Sequence, residues 1–161
     1  YWLPMVLWAV VIVVASGDTK SAHRSSRLLE PFLRWLFPEM SNEALWSIIM
    51  IARKWAHLTE YGILALFVWH GLRGTFWAGM ETWSRRCAFS AWTVCFVYAI
   101  TDEVHQTFVP GRQGSVWDVL IDSIGAALAL FGLWLVRWKW FPRREQHPIS
   151  TGKNKPTEKA S

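Results

Sequence analysis

"TDEVHQTFVPGRQGSVWDVLID", residues 101–122, joins "CAFSAWTVCFVYAI" (87–100) to "SIGAALALFGLWLV" (123–136). Neither flank contains an Asp, Glu, Lys or Arg, whereas the connection holds two acids, a histidine, an arginine and two further aspartates. Apolar runs of this kind, closed by a short polar turn, read as two helices that cross a bilayer. A polar group in hydrocarbon is costly, so ionisable residues at the ends of such helices turn inward and pair.

The rest of the chain repeats the pattern. Charge-poor stretches fall at Tyr1–Gly17, Trp55–Leu72, Cys87–Thr101 and Ser123–Val136. They predict an all-α, polytopic membrane protein of about four spans in a compact bundle, near residues 1–16, 44–72, 86–102 and 117–137. The first is read as a span whose beginning precedes Tyr1, with the end of a signal sequence as the alternative. Composition agrees: 52% of the 161 residues are hydrophobic, 13 are Trp, and only 18% are charged, below the usual share for a soluble domain.

The formal net charge of +5 does not indicate nucleic acid, because its placement is local. Arg137, Lys139, Arg143, Arg144, Lys153, Lys155 and Lys159 face only Glu145 and Glu158 near the end of the chain. Residues 141–161 therefore read as a basic, disordered cytoplasmic tail against anionic lipid, after a membrane domain at 1–140. Arg73, Arg85 and Arg86 belong to the same side by the positive-inside rule, so the quoted connection faces outward. Between the first two spans, "SSRLLEPFLRWLFPEM" puts Leu29, Phe32, Leu33 and Leu36 on one face. Arg27, Glu30 and Arg34 lie away from it, which predicts an interfacial helix at about 25–37. Ser41 can cap the next helix, with Glu43 in its first turn. Cys87 and Cys95, separated by about 12 Å of helical rise, are too far apart to bridge.

Helical rise also gives heights. Measured from Arg73, Glu60 stands about 20 Å up and His57 about 24 Å. From Arg86, Asp102 stands about 24 Å up; from Arg137, Asp122 stands about 22 Å and Asp118 about 28 Å up. Three helices measured separately place acids and a histidine in one layer beneath the outer surface. Lys54, His57 and Tyr61 share a helical stripe with Glu60 beside them, and Asp102, Glu103, His105 and Gln106 fill one turn. Arg112, after Pro110-Gly111, can fold back over the acids.

Plainer roles stand beside these. Ser115-x-x-Asp118 is a capping box, a role that Asp122, one turn deeper, cannot share. Arg53 and Lys54 can snorkel, His70 can be interfacial, and Tyr61 can be a belt aromatic or a hydrogen-bonding member of the stripe. His23 and His147 have no evident partners. The tryptophans read as packing and interface anchors, and the whole cluster can be polar glue between helices.

"KWAHLTEYGILA" (54–65) and "DEVHQTFVPGRQGSVWDVLIDSIGA" (102–126) resemble the two signature regions of VanZ-like membrane proteins. The resemblance spans roughly residues 45–135 and carries over onto Lys54, His57, Glu60, Tyr61, Asp102, Glu103, His105, Gln106, Arg112, Asp118 and Gly125. Asp122 stands where that family usually has Asn, which favours a shared proton, a bound cation, or closer pairing with Arg112 or Lys54. The resemblance implies a bacterial envelope protein of the inner membrane, linked to low-level resistance to teicoplanin, a lipid-tailed glycopeptide.

Three functions are compatible with this sequence. In the first, a membrane hydrolase or transferase acts on a lipid-linked or envelope substrate. His57, Glu60, Asp102, Glu103, His105 and Asp122 are then catalytic, and Lys54, Tyr61, Gln106, Arg112 and Asp118 bind substrate. A divalent metal such as Zn²⁺ is open to His57, His105, Glu103 and Asp122, although no compact ligand spacing is present. The second is a binding module for a lipid headgroup or lipopeptide. The third is a proton-coupled carrier, against which the chain shows no duplicated halves.

Overall fold

The computed structural model describes residues 1–17, 21–76, 83–110 and 114–140. Among them are five helices and no strand: α1 (Leu3–Gly17), α2 (Ser21–Leu36), α3 (Asn42–Phe76), α4 (Arg85–Thr107) and α5 (Val116–Trp140). The expected spans all appear as helices, and the expected interfacial segment is α2. Two helices, Arg85–Thr107 and Val116–Lys139, are long and apolar enough to cross a bilayer. α1 is apolar but has only 15 residues. α3, at 35 residues, is long enough but carries Arg53, Lys54 and Glu60 near its middle. The basic tail expected at 141–161 lies outside the described residues.

α4 runs five residues past its expected end, through "EVHQT". These residues tolerate a helix well, and the nearest strong stop is Pro110, which disfavours helical backbone in the residue before it. Asp102, Glu103 and Gln106 therefore continue the buried face of Cys87, Ala91, Cys95 and Ala99 instead of entering a loop. At the other end Ser84 is the N-cap, its hydroxyl accepting from Cys87 N–H. Ser41 does the same for α3, accepting from Ala44 N–H at 3.3 Å. α2 begins at Ser21, earlier than expected, and accommodates Pro31. Arg34 pairs with Glu30 at 3.0 Å and donates to Asn42 at 2.7 Å, tying α2 to the start of α3.

α3 is the central element, packed against α5, α4, α1 and α2. Tyr61, Leu64, Ala65, Val68 and Leu72 form its core stripe, meeting the small stripe of α4 and Ala126 and Leu130 of α5. The α3–α5 seam is tight at Gly125: a Cβ there would stand 2.9 Å from Leu58 Cα and would meet its carbonyl oxygen more closely still. Indole and phenol donors reach across helices to backbone carbonyls. Trp8 Nε1 donates to Glu60 O (2.9 Å), Tyr98 Oη to Ala9 O (2.7 Å) and Trp92 Nε1 to Ser123 O (3.1 Å). Cys87 and Cys95 are buried free thiols.

Polarity is inverted relative to a water-soluble bundle. The outside of α1 shows Leu3, Leu7, Val10 and Val14, and that of α5 shows Leu120, Ile124, Leu128 and Phe131. Asp102, Glu103, Gln106, Asp122, Ser16 and Ser123 are buried. An apolar surface this extensive suits a hydrocarbon solvent or a large interface.

Candidate functional site

The buried polar residues gather at one end of the bundle, where α1 and α4 finish and α5 begins. Asp122 is 0% exposed, Asp102 3% and Glu103 5%. Asp122 Oδ1 stands 3.6 Å from His57 Nδ1, joining α5 to α3. Asp102 Oδ2 accepts from Ser16 Oγ of α1 at 2.8 Å and from Gln106 Nε2 at 3.1 Å. The same Gln106 amide approaches Glu103 Oε1 at 3.3 Å, so one donor bridges both carboxylates. Glu103 Oε2 accepts from the Ser115 backbone N–H at 2.7 Å. Asp122 also lies within charge–charge range of Glu103, Asp102, Asp118 and Glu60. The outcome is one acidic cluster built from four helices.

Several oxygens in this cluster remain unanswered. Tyr61 Oη, Asp102 Oδ1 and both Asp122 oxygens are buried without a hydrogen-bond partner among the described residues. A buried acceptor lacking a donor costs about 1–3 kcal/mol, so a site with several of them is prepared for a donor-bearing group. Tyr61 is thus a core residue instead of a belt aromatic, and its expected hydrogen bond is not made among the described residues.

Other expected site residues are placed differently. Glu60 is half-buried and lines a cavity of about 390 Å³ with Trp8, Ala52, Trp55 and Ala56, on the face of α3 beside the acidic cluster. His105 is exposed. It sits on α4 about 60° around the axis from Asp102 and about 100° from Gln106, on the side away from the buried stripe, because each residue turns the helix by about 100°. Lys54 is also exposed, one turn above His57, and belongs to the outside of the helix. Asp118 is half-buried in the first turn of α5, its N–H bonded to Ser115 O at 3.0 Å. Arg112 lies outside the described residues.

The metal set proposed from sequence does not fit this arrangement. His57 and Asp122 face each other, but His105 points away. Among the described residues no group of three or more His, Cys, Asp and Glu is arranged to hold an ion.

Two contributors were not legible in the sequence. Ser16 lies in an apolar helix far along the chain from Asp102, and no spacing rule connects them. The Ser115 N–H is answered by Glu103 of α4, where a capping box would use an acid three residues on. Gly114 permits that approach, since a Cβ on it would lie 2.6 Å from Glu103 O. Gly125 is marked in the sequence only by the family resemblance, since Gly132 lies in the same apolar helix and a Cβ there meets nothing within 4 Å.

An all-helical bundle with an apolar exterior and an internal acidic cluster has the character of an integral membrane protein. The chain matches the VanZ/LLP1 family over residues 1–137 and belongs to it. No curated protein and no solved structure matches it.

Proposed function

We propose that the protein crosses the bacterial cytoplasmic membrane four times through α1, α3, α4 and α5. α2 lies in the outer interface and the basic C-terminal tail is inside. The acidic cluster then opens outward and acts on a lipid-linked or cell-envelope substrate, in keeping with the link between VanZ-like proteins and teicoplanin resistance. One observation carries this reading: His57, Asp102, Glu103 and Asp122, from three helices, share one buried end with unanswered oxygens. Burial of carboxylates at this density inside an apolar bundle is a cost that structure alone does not require.

In this reading Asp122 orients the His57 ring through Nδ1, leaving Nε2 for proton transfer with substrate. Gln106 and Ser16 fix Asp102, while Glu103 fixes the start of α5 and with it the height of Asp122. Glu60, on the cavity between α1 and α3, meets a ligand arriving from the lipid side. Arg112 and Lys54 supply cationic contacts to an anionic headgroup at the rim. The exposure of His105 favours a second reading, a binding module without turnover, because His57 then lacks a second histidine in the buried cluster among the described residues.

The test is teicoplanin susceptibility of cells expressing His57→Ala, Glu60→Ala, His105→Ala or Arg112→Ala at equal protein level. Loss of protection in the His57 variant supports the site. Wild-type behaviour of all four ends every site-based reading. Mass spectrometry of envelope lipids and fragments in the His57→Ala strain separates turnover from binding, since only turnover changes their chemical composition.

A further inference from the structure

The cavity between α1 and α3 has a lining whose chemistry selects a ligand. Two indoles line it, Trp8 of α1 and Trp55 of α3, and Glu60 is the one ionisable residue among the described residues around it. Trp8 is fixed in place: its Nε1–H donates to Glu60 O at 2.9 Å, and its ring meets that of Phe67 edge-on with centroids 6.2 Å apart. Trp55 is exposed. Thr59, also on the lining, donates its hydroxyl to Trp55 O at 2.8 Å, so it offers a ligand lone pairs. With Ala52 and Ala56 as small neighbours, about 390 Å³ stays open, within the usual range of small-molecule sites.

Glu60 is short of a cation. Among the described residues no ion pair engages it. The charges within range of it, Asp102 and Asp122, have its own sign. A carboxylate in an apolar setting is costly until a positive group meets it. A metal ion is a poor match, because among the described residues no three His, Cys, Asp and Glu are arranged to hold one. Indole faces beside a carboxylate suit instead an organic ammonium, whose apolar substituents pack on the rings while its charge is drawn to their π clouds.

Helical rise sets the route. Trp55 stands about 27 Å above Arg73 and Glu60 about 20 Å, against a hydrocarbon layer of about 30 Å. In the proposed topology a cation sinking from the outer leaflet passes Trp55 first and meets Glu60 next.

We propose that Trp8, Trp55 and Glu60 form a binding site for an organic ammonium group carried on an apolar body, entering from the outer leaflet. This site rests on the cavity being the lipid-side entrance of the proposed function, and it narrows the ligand to a cationic amphiphile. Its test reads neither teicoplanin protection nor turnover at His57, so each conclusion can fail alone.

Native mass spectrometry of the full chain, released from uncharged maltoside micelles doped with dodecyltrimethylammonium or dodecyldimethylamine oxide, supplies that test. The probes share a chain and nearly a head shape, but only the first carries net charge at neutral pH. Wild type is expected to retain the ammonium at least about tenfold better, the scale of one desolvated cation–π contact. Glu60→Gln should abolish that preference. Trp55→Leu, which keeps apolar bulk without a π face, should cut it several-fold, and Trp55→Phe should retain most of it. Trp55 is exposed, so these variants keep the test available if Glu60→Gln fails to fold. Glu43→Gln removes an exposed carboxylate from the same helix and should change nothing. Any of four results would overturn the proposal: no preference in wild type, a preference kept by Glu60→Gln, one left intact by Trp55→Leu, or an equal loss in Glu43→Gln, which means diffuse surface charge.

Discussion

Gly125→Ala tests the seam that sets the site. The added Cβ would lie 2.9 Å from both the carbonyl carbon and Cα of Leu58, and closer to its oxygen. These are backbone atoms of a packed helix and cannot rotate aside. Comfortable carbon–carbon contact is about 3.5–4.0 Å, so α3 and α5 must part by roughly 1 Å at this level. Overpacking of that kind costs about 1–3 kcal/mol. His57 precedes Leu58, and Asp122 lies three residues before Gly125, so the displacement falls on their 3.6 Å contact. Gly132→Ala in the same helix is the control, because a Cβ there meets nothing within 4 Å. It relieves a glycine in a helix and should be neutral or stabilising by up to about 1 kcal/mol. Thermal unfolding in detergent should therefore order the variants Gly132→Ala, wild type, Gly125→Ala, with the last lowered by several degrees, at roughly 2–4 °C per kcal/mol for a chain of this size. Gly62→Ala, whose Cβ would meet Ala129 Cβ and Gly125 O at 3.4 Å, should fall between wild type and Gly125→Ala. Equal melting of Gly125→Ala and Gly132→Ala would refute the close approach and the site geometry built on it.

Further outcomes follow from the same contacts. Ser16→Ala removes a buried hydroxyl from Asp102 and should destabilise by about 1.5–3 kcal/mol, the range for a hydrogen bond to a charged group, read by melting temperature. Ser115→Ala should melt near wild type, since Glu103 holds the backbone N–H and not the side chain, whereas Ser115→Pro, which deletes that N–H, should melt lower. Cys87 and Cys95 should resist a maleimide reagent until the protein is unfolded, as both thiols are buried between helices; rapid labelling of folded protein would contradict the packing of α4. In a variant without these two cysteines, Phe108→Cys and Arg85→Cys should be labelled from opposite sides of the membrane by an impermeant reagent. Labelling from one side would remove the four-span topology.

Local physical chemistry made much of this molecule readable. Helices follow from runs such as "SIGAALALFGLWLV", because an apolar run of this length without proline favours helix and tolerates its two glycines. The layer of acids was also readable, since rise per residue is fixed and three helices could be measured from their basic ends. That arithmetic put His57, Asp102 and Asp122 at one height, while the pairing of His57 with Asp122 came only from the packed helices. Rotation about each helix axis was less accessible. His105 shares a turn with Asp102 yet faces outward, and Lys54 shares a stripe with Tyr61 yet stays exposed, because the boundary of a buried face depends on neighbours and not on spacing alone.

The sequence by itself determined that this chain is helical, apolar outside and charged at both ends of its bundle, because hydropathy and rise are local properties. Tertiary structure alone decided which charges meet. Ser16 reaches Asp102, Glu103 takes the Ser115 N–H, and Trp8 of α1 reaches the Glu60 carbonyl of α3. These partners are far apart along the chain, and what joins them is the order and rotation of packed helices, which no local pattern encodes.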